Sequence, residues 1–100
     1  MRVKAKVCWL RKDQGGREDP PPGPKYSTVA RFEDEKDKYP GEAWSLVLEF
    51  SDPIDEARCH IAEVRLLNPA GPTRLLHPGS VFELYEGSRL IARGEVLTGE

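Results

Sequence analysis

The first residues of the chain alternate between apolar and polar positions with the period of a β-strand. The apolar positions of segment 2–9 are Val3, Ala5, Val7 and Trp9, and the positions between them are Arg2, Lys4, Lys6 and Cys8. Successive side chains of a strand point to opposite faces of a sheet. The pattern therefore predicts a half-buried strand with a largely basic outer face.

Four further segments carry shorter versions of this pattern, and glycine or proline residues separate them. We predict strands over 26–33, 43–50, 80–86 and 89–97. Gly87-Ser88 joins the last two segments, and a glycine that opens a two-residue loop favours the type II′ turn of a tight hairpin.

Segment 58–67 fits two patterns. Ile61, Val64 and Leu67 recur at helical spacing, whereas Ala62, Val64 and Leu66 alternate as in a strand. We predict a strand here, and a helix remains the alternative.

The predicted elements together indicate an all-β protein with one domain over residues 1–100. Five to six short strands and no long amphipathic helix are typical of an antiparallel barrel or sandwich. The composition, 38% apolar and 32% charged, is that of a globular domain. The net charge of −2 argues against binding to nucleic acid or membrane by bulk charge alone.

No apolar stretch reaches the roughly 20 residues that a membrane span needs, and the charged N-terminus does not resemble a secretion signal. We therefore expect no membrane association and a cytoplasmic protein. Cys8 and Cys59 are expected to be reduced thiols, because disulfides are rare in that compartment. Cys59 is expected to be a small packing residue and His60 a surface residue.

The sequence contains no motif for nucleotide, metal or nucleophilic chemistry. It lacks both usual glycine-rich phosphate loops, and its cysteines and histidines show no metal-ligand spacing. Ser80 and Ser88 lie beside glycines but outside the nucleophile motif of hydrolases. We expect a protein that is not an enzyme and needs no cofactor.

The N-terminal segment carries charges of one sign only. Five basic residues precede the first acidic residue, Asp13, and they are Arg2, Lys4, Lys6, Arg11 and Lys12. Such a face could follow the phosphates of a nucleic acid. The alternative is a solvated outer strand surface whose lysines prevent edge-to-edge aggregation.

Two segments resemble the third, C-terminal β-barrel domain of elongation factor Tu. Segment 3–17 is similar to that domain's first strand and the loop that follows, here Gly15-Gly16-Arg17. Segment 79–96 is similar to its closing hairpin through Gly79, Phe82, Glu86-Gly87, Arg89, Gly94 and Val96. Two shorter matches lie between these segments, at Pro40-Gly41 and at Asp52-Pro53-Ile54.

The resemblance implies an antiparallel β-barrel of about six strands. In that family the barrel packs against a GTPase domain and helps to hold the T stem of aminoacyl-tRNA. Arg17 and Arg89 match the family's loop and hairpin arginines, which makes them candidate contacts. Arg89 and Gly94 also have structural interpretations, as an ion-pair partner of Glu86 and as a site of close approach or a bulge.

We expect a non-enzymatic binding module that presents the proline-rich loop 13–25 to a protein partner. Glu18 and Asp19 directly follow Arg17 and oppose a phosphate contact there, which favours protein over RNA. The alternative is binding of a tRNA-like RNA through the basic strand face and the Gly15-Gly16-Arg17 loop. The candidate contact residues are Lys4, Lys6, Arg11, Lys12, Arg17 and Arg89.

Overall fold

The computed structural model describes residues 2–11, 13, 24–34, 43–51 and 53–99, and six strands account for most of these residues. The strands are β1 (Val3–Trp9), β2 (Lys25–Phe32), β3 (Trp44–Phe50), β4 (Cys59–Leu66), β5 (Val81–Glu86) and β6 (Arg89–Gly99). A short 3-10 helix, Thr73–Leu76, lies between β4 and β5. No helix in these ranges is long and apolar enough to cross a membrane.

The strands close into a barrel in the order β1-β4-β3-β2-β5-β6, and every neighbouring pair is antiparallel. The expected all-β barrel of about six strands is confirmed. Since odd and even strands run in opposite directions, the odd strands end where the even strands begin. One end of the barrel is therefore formed by the last residues of β1, β3 and β5 and the first residues of β2, β4 and β6. The opposite end is formed by the other ends of the same strands.

The alternating pattern of β1 places its apolar residues in the core. Val3, Ala5, Val7 and Trp9 are all buried, and the lysines between them are exposed. The same alternation on the other strands fills the interior, and two leucines of the 3-10 helix, Leu75 and Leu76, complete the core.

Segment 58–67 forms strand β4, so the strand prediction is confirmed and the helical alternative is wrong. Ala62, Val64 and Leu66 are buried along one face. Leu67, which the helical spacing would bury, is 52% exposed. The local sequence fits a strand and a helix equally well, and the pairing of this segment with β1 and β3 selects the strand.

The closing hairpin has the predicted turn. Gly87 has a φ of 63°, and Ser88 is not among the residues with positive φ. A positive φ at the first central residue alone is what a type II′ turn requires, whereas a type I′ turn needs it at both.

Gly94 is a site of close approach, as one of its two structural interpretations predicts. A Cβ atom built at this position would lie 2.3 Å from Cζ of Phe82 on β5. Phe82 is the register partner of Gly94, and its ring is fully buried. The glycine therefore makes room for an aromatic ring in the barrel core.

The expectation of two free thiols is wrong, because Cys8 and Cys59 form a disulfide. The two residues are direct partners in the β1–β4 register, so both side chains lie on the same face of the sheet. The prediction rested on cellular compartment and could not use register, which brings together residues 51 positions apart.

Candidate binding surface

The basic side chains of β1 face outward and lie opposite carboxylates. Lys4 is the register partner of Glu63 on β4, and Lys6 is that of Glu95 on β6. Arg2 also pairs with Glu63, at 3.4 Å between Nη1 and Oε1. The positive charges that form a run in the sequence thus alternate with negative charges on the barrel wall.

The same charged row continues onto the next two strands. Glu63 lies opposite Glu49 on β3, and Glu49 lies opposite Lys25 on β2, with 4.0 Å between Lys25 Nζ and Glu49 Oε1. Exposed ion pairs such as these contribute little to stability. A phosphate backbone that followed this row from Lys4 would meet two neighbouring carboxylates.

The other predicted contact residues lie elsewhere. Arg11 is exposed just beyond the end of β1, and Arg89 begins β6 at the same end of the barrel. Arg89 Nη2 donates to Glu86 Oε1 at 3.2 Å, so its predicted structural role is confirmed. Lys12 and Arg17, together with most of loop 13–25, lie outside the described residues.

A cluster of aromatic and imidazole rings lies where the odd strands end and the even strands begin. Four inward-facing side chains lie there, and we call them the aromatic end: Trp9, Tyr26, Phe50 and His60. Trp9 is only 3% exposed, whereas the other three are half-buried. The buried indole therefore supports three rings that each keep some exposed surface.

The rings of the aromatic end pack in specific geometries. The ring centroid of Trp9 lies 5.9 Å from those of both Tyr26 and Phe50, edge to face. Phe50 stacks on His60 at 4.2 Å with 12° between the ring planes. Edge-to-face and stacked contacts add to burial energy and fix the ring orientations. His60, expected at the surface, is thus part of this cluster.

A hydrogen bond links Trp9 to His60 across the β1–β4 junction. Nε1 of the indole donates to Nε2 of the imidazole at 2.8 Å. The acceptor nitrogen carries no proton, so the imidazole proton is at Nδ1. This bond satisfies the polar group of the buried tryptophan and orients the histidine ring.

Polar groups extend the same end toward β5. The hydroxyl of Tyr26 donates to Oε2 of Glu86, and that of Thr28 donates to the carbonyl of Tyr85. Glu86 also receives the Arg89 hydrogen bond through its other carboxylate oxygen. A carboxylate held by a phenol and a guanidinium therefore lies next to the aromatic rings.

The loop between β3 and β4 is fastened to the end of β1. Arg58 has a φ of 66°, and its side chain donates to the carbonyls of Trp9 and Leu10 at 3.3 and 3.1 Å. Oδ1 of Asp55 accepts from the backbone amides of Ala57 and Cys59. These bonds fix the loop at the rim of the aromatic end.

The opposite end of the barrel carries a cleft of about 420 Å³. Its lining residues are Ala43, Trp44, Ser45, Leu66, Leu67 and Asn68. Nε1 of Trp44 is buried and has no hydrogen-bond partner. Because that atom is shielded from water, it does not offer a donor to a molecule in the cleft.

His77, in the connection between β4 and β5, forms a hydrogen bond with Asp34, which lies just after β2. Its Nε2 lies 2.6 Å from Oδ2 of Asp34, and its Nδ1 lies 3.0 Å from the carbonyl of Pro78. The hydrogen bond to Asp34 is the main cause that raises the pKa of His77 above its ordinary value of 6.5.

A polar cluster covers the outer face of β2, β5 and β6. The Tyr85 hydroxyl donates to Glu83 at 3.1 Å, Arg93 pairs with Glu83 at 3.2 Å, and the Arg31 guanidinium lies 5.1 Å from the Tyr85 ring centroid. Burial, followed by the Glu83 hydrogen bond, raises the pKa of Tyr85 above 10.0. These contacts link side chains of three neighbouring strands on the outer wall.

The two histidines and Ser80 do not form a nucleophile–base pair in the part of the chain that the structure describes. Both ring nitrogens of His77 are engaged, and His60 accepts the Trp9 hydrogen bond. The hydroxyl of Ser80 is buried and without a partner, so no base activates it. The described part of the chain also holds no group of three metal-ligating side chains.

Comparison with known proteins finds no family model and no curated protein that matches the chain. The candidate surface therefore rests on the geometry of the barrel.

Sequence reasoning missed the aromatic end, because it considered each strand alone and expected His60 at the surface. A signal was nevertheless present. Each of the four residues lies at the first or second position from a strand end, on the inward face, and alternating strand directions bring these positions together.

Proposed function

We propose that this protein is a non-enzymatic binding module that holds a protein partner at the aromatic end of its barrel. The observation that carries the proposal is the group of three half-buried rings, Tyr26, Phe50 and His60, oriented over the buried indole of Trp9. Aromatic side chains are enriched in the centres of protein interfaces, where they supply much of the binding energy.

Rigidity of the rim supports the same proposal. Arg58 and Asp55 hold the β3–β4 loop through side-chain hydrogen bonds to backbone groups, and Glu86 holds the phenol of Tyr26. A partner would therefore meet ordered side chains and would lose little binding energy to their immobilisation. The proline-rich loop 13–25 connects β1 to β2 at this end and remains a predicted part of the contact surface.

RNA binding is the less supported alternative. Lys4 and Lys6 lie opposite Glu63 and Glu95, and neighbouring carboxylates oppose an extended phosphate contact. The resemblance to the elongation factor domain is what keeps RNA among the outcomes to be tested.

The test compares one variant at each end of the barrel. Peptides are first selected from a phage-displayed random library against the wild-type protein, and their affinities are measured by fluorescence anisotropy. Phe50→Ala removes a ring of the aromatic end, and Trp44→Ala is its matched control, because both rings are partly buried against the core. Circular dichroism verifies that both variants keep their strands.

We expect Phe50→Ala to weaken the selected peptides by roughly 30-fold, the size of an aromatic hot spot, and Trp44→Ala to leave them unchanged. Equal affinity for all three proteins would contradict the proposal. Labelled tRNA is titrated in parallel at low and high salt. Salt-sensitive binding that Lys4→Glu with Lys6→Glu abolishes would favour RNA instead.

A further inference from the structure

The disulfide lies next to the hydrogen bond that orders the aromatic end. Cys8 immediately precedes Trp9, and Cys59 immediately precedes His60, so the covalent link and the 2.8 Å Trp9–His60 bond join the same two strand ends. The sulfurs lie on the outer face of the sheet and the rings on the inner face. Separation of the strand ends would therefore affect both links.

The two cysteine residues differ in exposure. Cys8 is half-buried on the outer wall, whereas Cys59 is only 7% exposed. A thiolate from solvent can therefore approach the Cys8 sulfur more readily than the Cys59 sulfur. In the cytoplasm, the compartment that the sequence predicts, the disulfides that do form are usually transient or redox-sensing.

The barrel does not depend on the disulfide for its topology. Strand β1 pairs with β4 over six register positions from Val3 to Cys8, and with β6 along its other edge. The backbone amide of Trp9 also donates to the carbonyl of Arg58 at 2.9 Å. Reduction would remove one covalent link at the end of a ladder and leave the ladder in place.

We propose that the Cys8–Cys59 disulfide is a redox clasp that holds the aromatic end in its binding geometry, so that partner affinity depends on the oxidation state of the pair. This proposal rests on the function proposed above for the aromatic end. The fold is the same in both states, and the junction between Trp9 and His60 is what changes.

The reaction is thiol–disulfide exchange with a dithiol. One thiolate of the dithiol attacks the Cys8 sulfur, forms a mixed disulfide and releases Cys59 as a thiolate, which takes up a proton. The second thiol of the reagent loses its proton and attacks the reagent sulfur of the mixed disulfide, which releases Cys8. Two electrons and two protons pass to the protein, and the dithiol becomes a disulfide.

The experiment follows Trp9 by fluorescence in a Trp44→Phe background, where Trp9 is the sole tryptophan. This background removes a buried indole N–H that has no partner, so we expect it to be tolerated. The protein is equilibrated with reduced and oxidised dithiothreitol at defined ratios. Alkylation and mass spectrometry count the thiols, and circular dichroism monitors the strands.

We expect the Trp9 emission to change together with the thiol count while the strand signal stays constant. The affinity of the peptides selected for the aromatic end should fall roughly tenfold on reduction, within the usual range of coupling between two sites. Cys8→Ser with Cys59→Ser is the control and should show the reduced spectrum and affinity at every ratio.

Two results would overturn the clasp. An unchanged Trp9 emission in the fully reduced protein would show that the disulfide does not order this end, and loss of the strand signal would show that it holds the fold itself. If the double serine variant does not fold, the reduced wild-type chain supplies the same comparison. If no peptide responds to Phe50→Ala, the proposed function fails, and the Trp9 emission still decides whether the clasp exists.

Discussion

Gly94→Ala introduces one methyl group at the most crowded glycine for which the structure gives contacts. The new Cβ would lie 2.3 Å from Cζ and 2.4 Å from Cε2 of Phe82, where ordinary contact begins at 3.4 Å. The Phe82 ring would have to move by about 1 Å, yet it is fully buried and packs on Phe32 with 5.6 Å between ring centroids. Overpacking of this kind costs about 1–3 kcal/mol.

The assay is urea unfolding followed by far-UV circular dichroism, with Gly94→Ala, Phe82→Leu and the double variant. We expect Gly94→Ala to lower the free energy of unfolding by about 1–3 kcal/mol. Leucine has no atom at the Cζ position, so the double variant should lose less than the sum of the two single losses, by roughly 1 kcal/mol. Strict additivity, or an unchanged midpoint for Gly94→Ala, would refute the steric argument.

Two further predictions concern the covalent and ionic links between elements. The Cys8–Cys59 disulfide spans 51 residues, and loop-closure entropy predicts that reduction lowers the unfolding free energy by about 4 kcal/mol, measurable by urea unfolding with and without a dithiol. For His77 the raised pKa means that its pair with Asp34 stabilises the fold below pH 6.5 and that this contribution disappears as the pH rises through the folded-state pKa. Asp34→Asn should lower the pKa of His77 in an NMR titration, and an unchanged titration curve would count against the pair.

The strands could be predicted because their signal is local. In β1 the period-two alternation marks every core residue, and the structure buries Val3, Ala5, Val7 and Trp9 as the pattern requires. Gly87-Ser88 likewise marked its own turn, since the backbone geometry of a type II′ turn selects glycine at its first central position. Segment 58–67 could not be assigned from its local pattern alone, because that pattern fits both a strand and a helix.

The disulfide and the charge pairs depend on register, which the sequence does not state. Cys8 and Cys59 meet only because β1 and β4 pair at that position, and a shift by one residue would place the two side chains on opposite faces. The surroundings of the basic residues Lys4 and Lys6 also depend on register. It predicts a positive face when β1 is considered alone, and the carboxylates on β4 and β6 interrupt that face once the strands are paired.

The aromatic end is intermediate between features with a local signal and features that depend on register. The positions of its residues within their strands predict the cluster once the strand directions are known. In a barrel whose neighbours are all antiparallel, the last inward residue of an odd strand meets the first inward residue of an even strand. Trp9 and Phe50 occupy the former position, and Tyr26 and His60 the latter. The equivalent positions at the opposite end include Val3, Phe32 and Leu66, which are 2%, 1% and 5% exposed, and Trp44, which is half-buried.

Among the described inward-facing residues, the aromatic end thus carries three half-buried rings and the opposite end one, and we therefore propose binding at the aromatic end. Aromatic and imidazole rings can pack on a core with one edge and present the other edge to a partner. Strand directions determine which residues lie at this end of the barrel. The hydrogen bond from Trp9 to His60 orients the imidazole ring there. The proposed binding at this end therefore depends on the β1–β4 junction, which the disulfide also links.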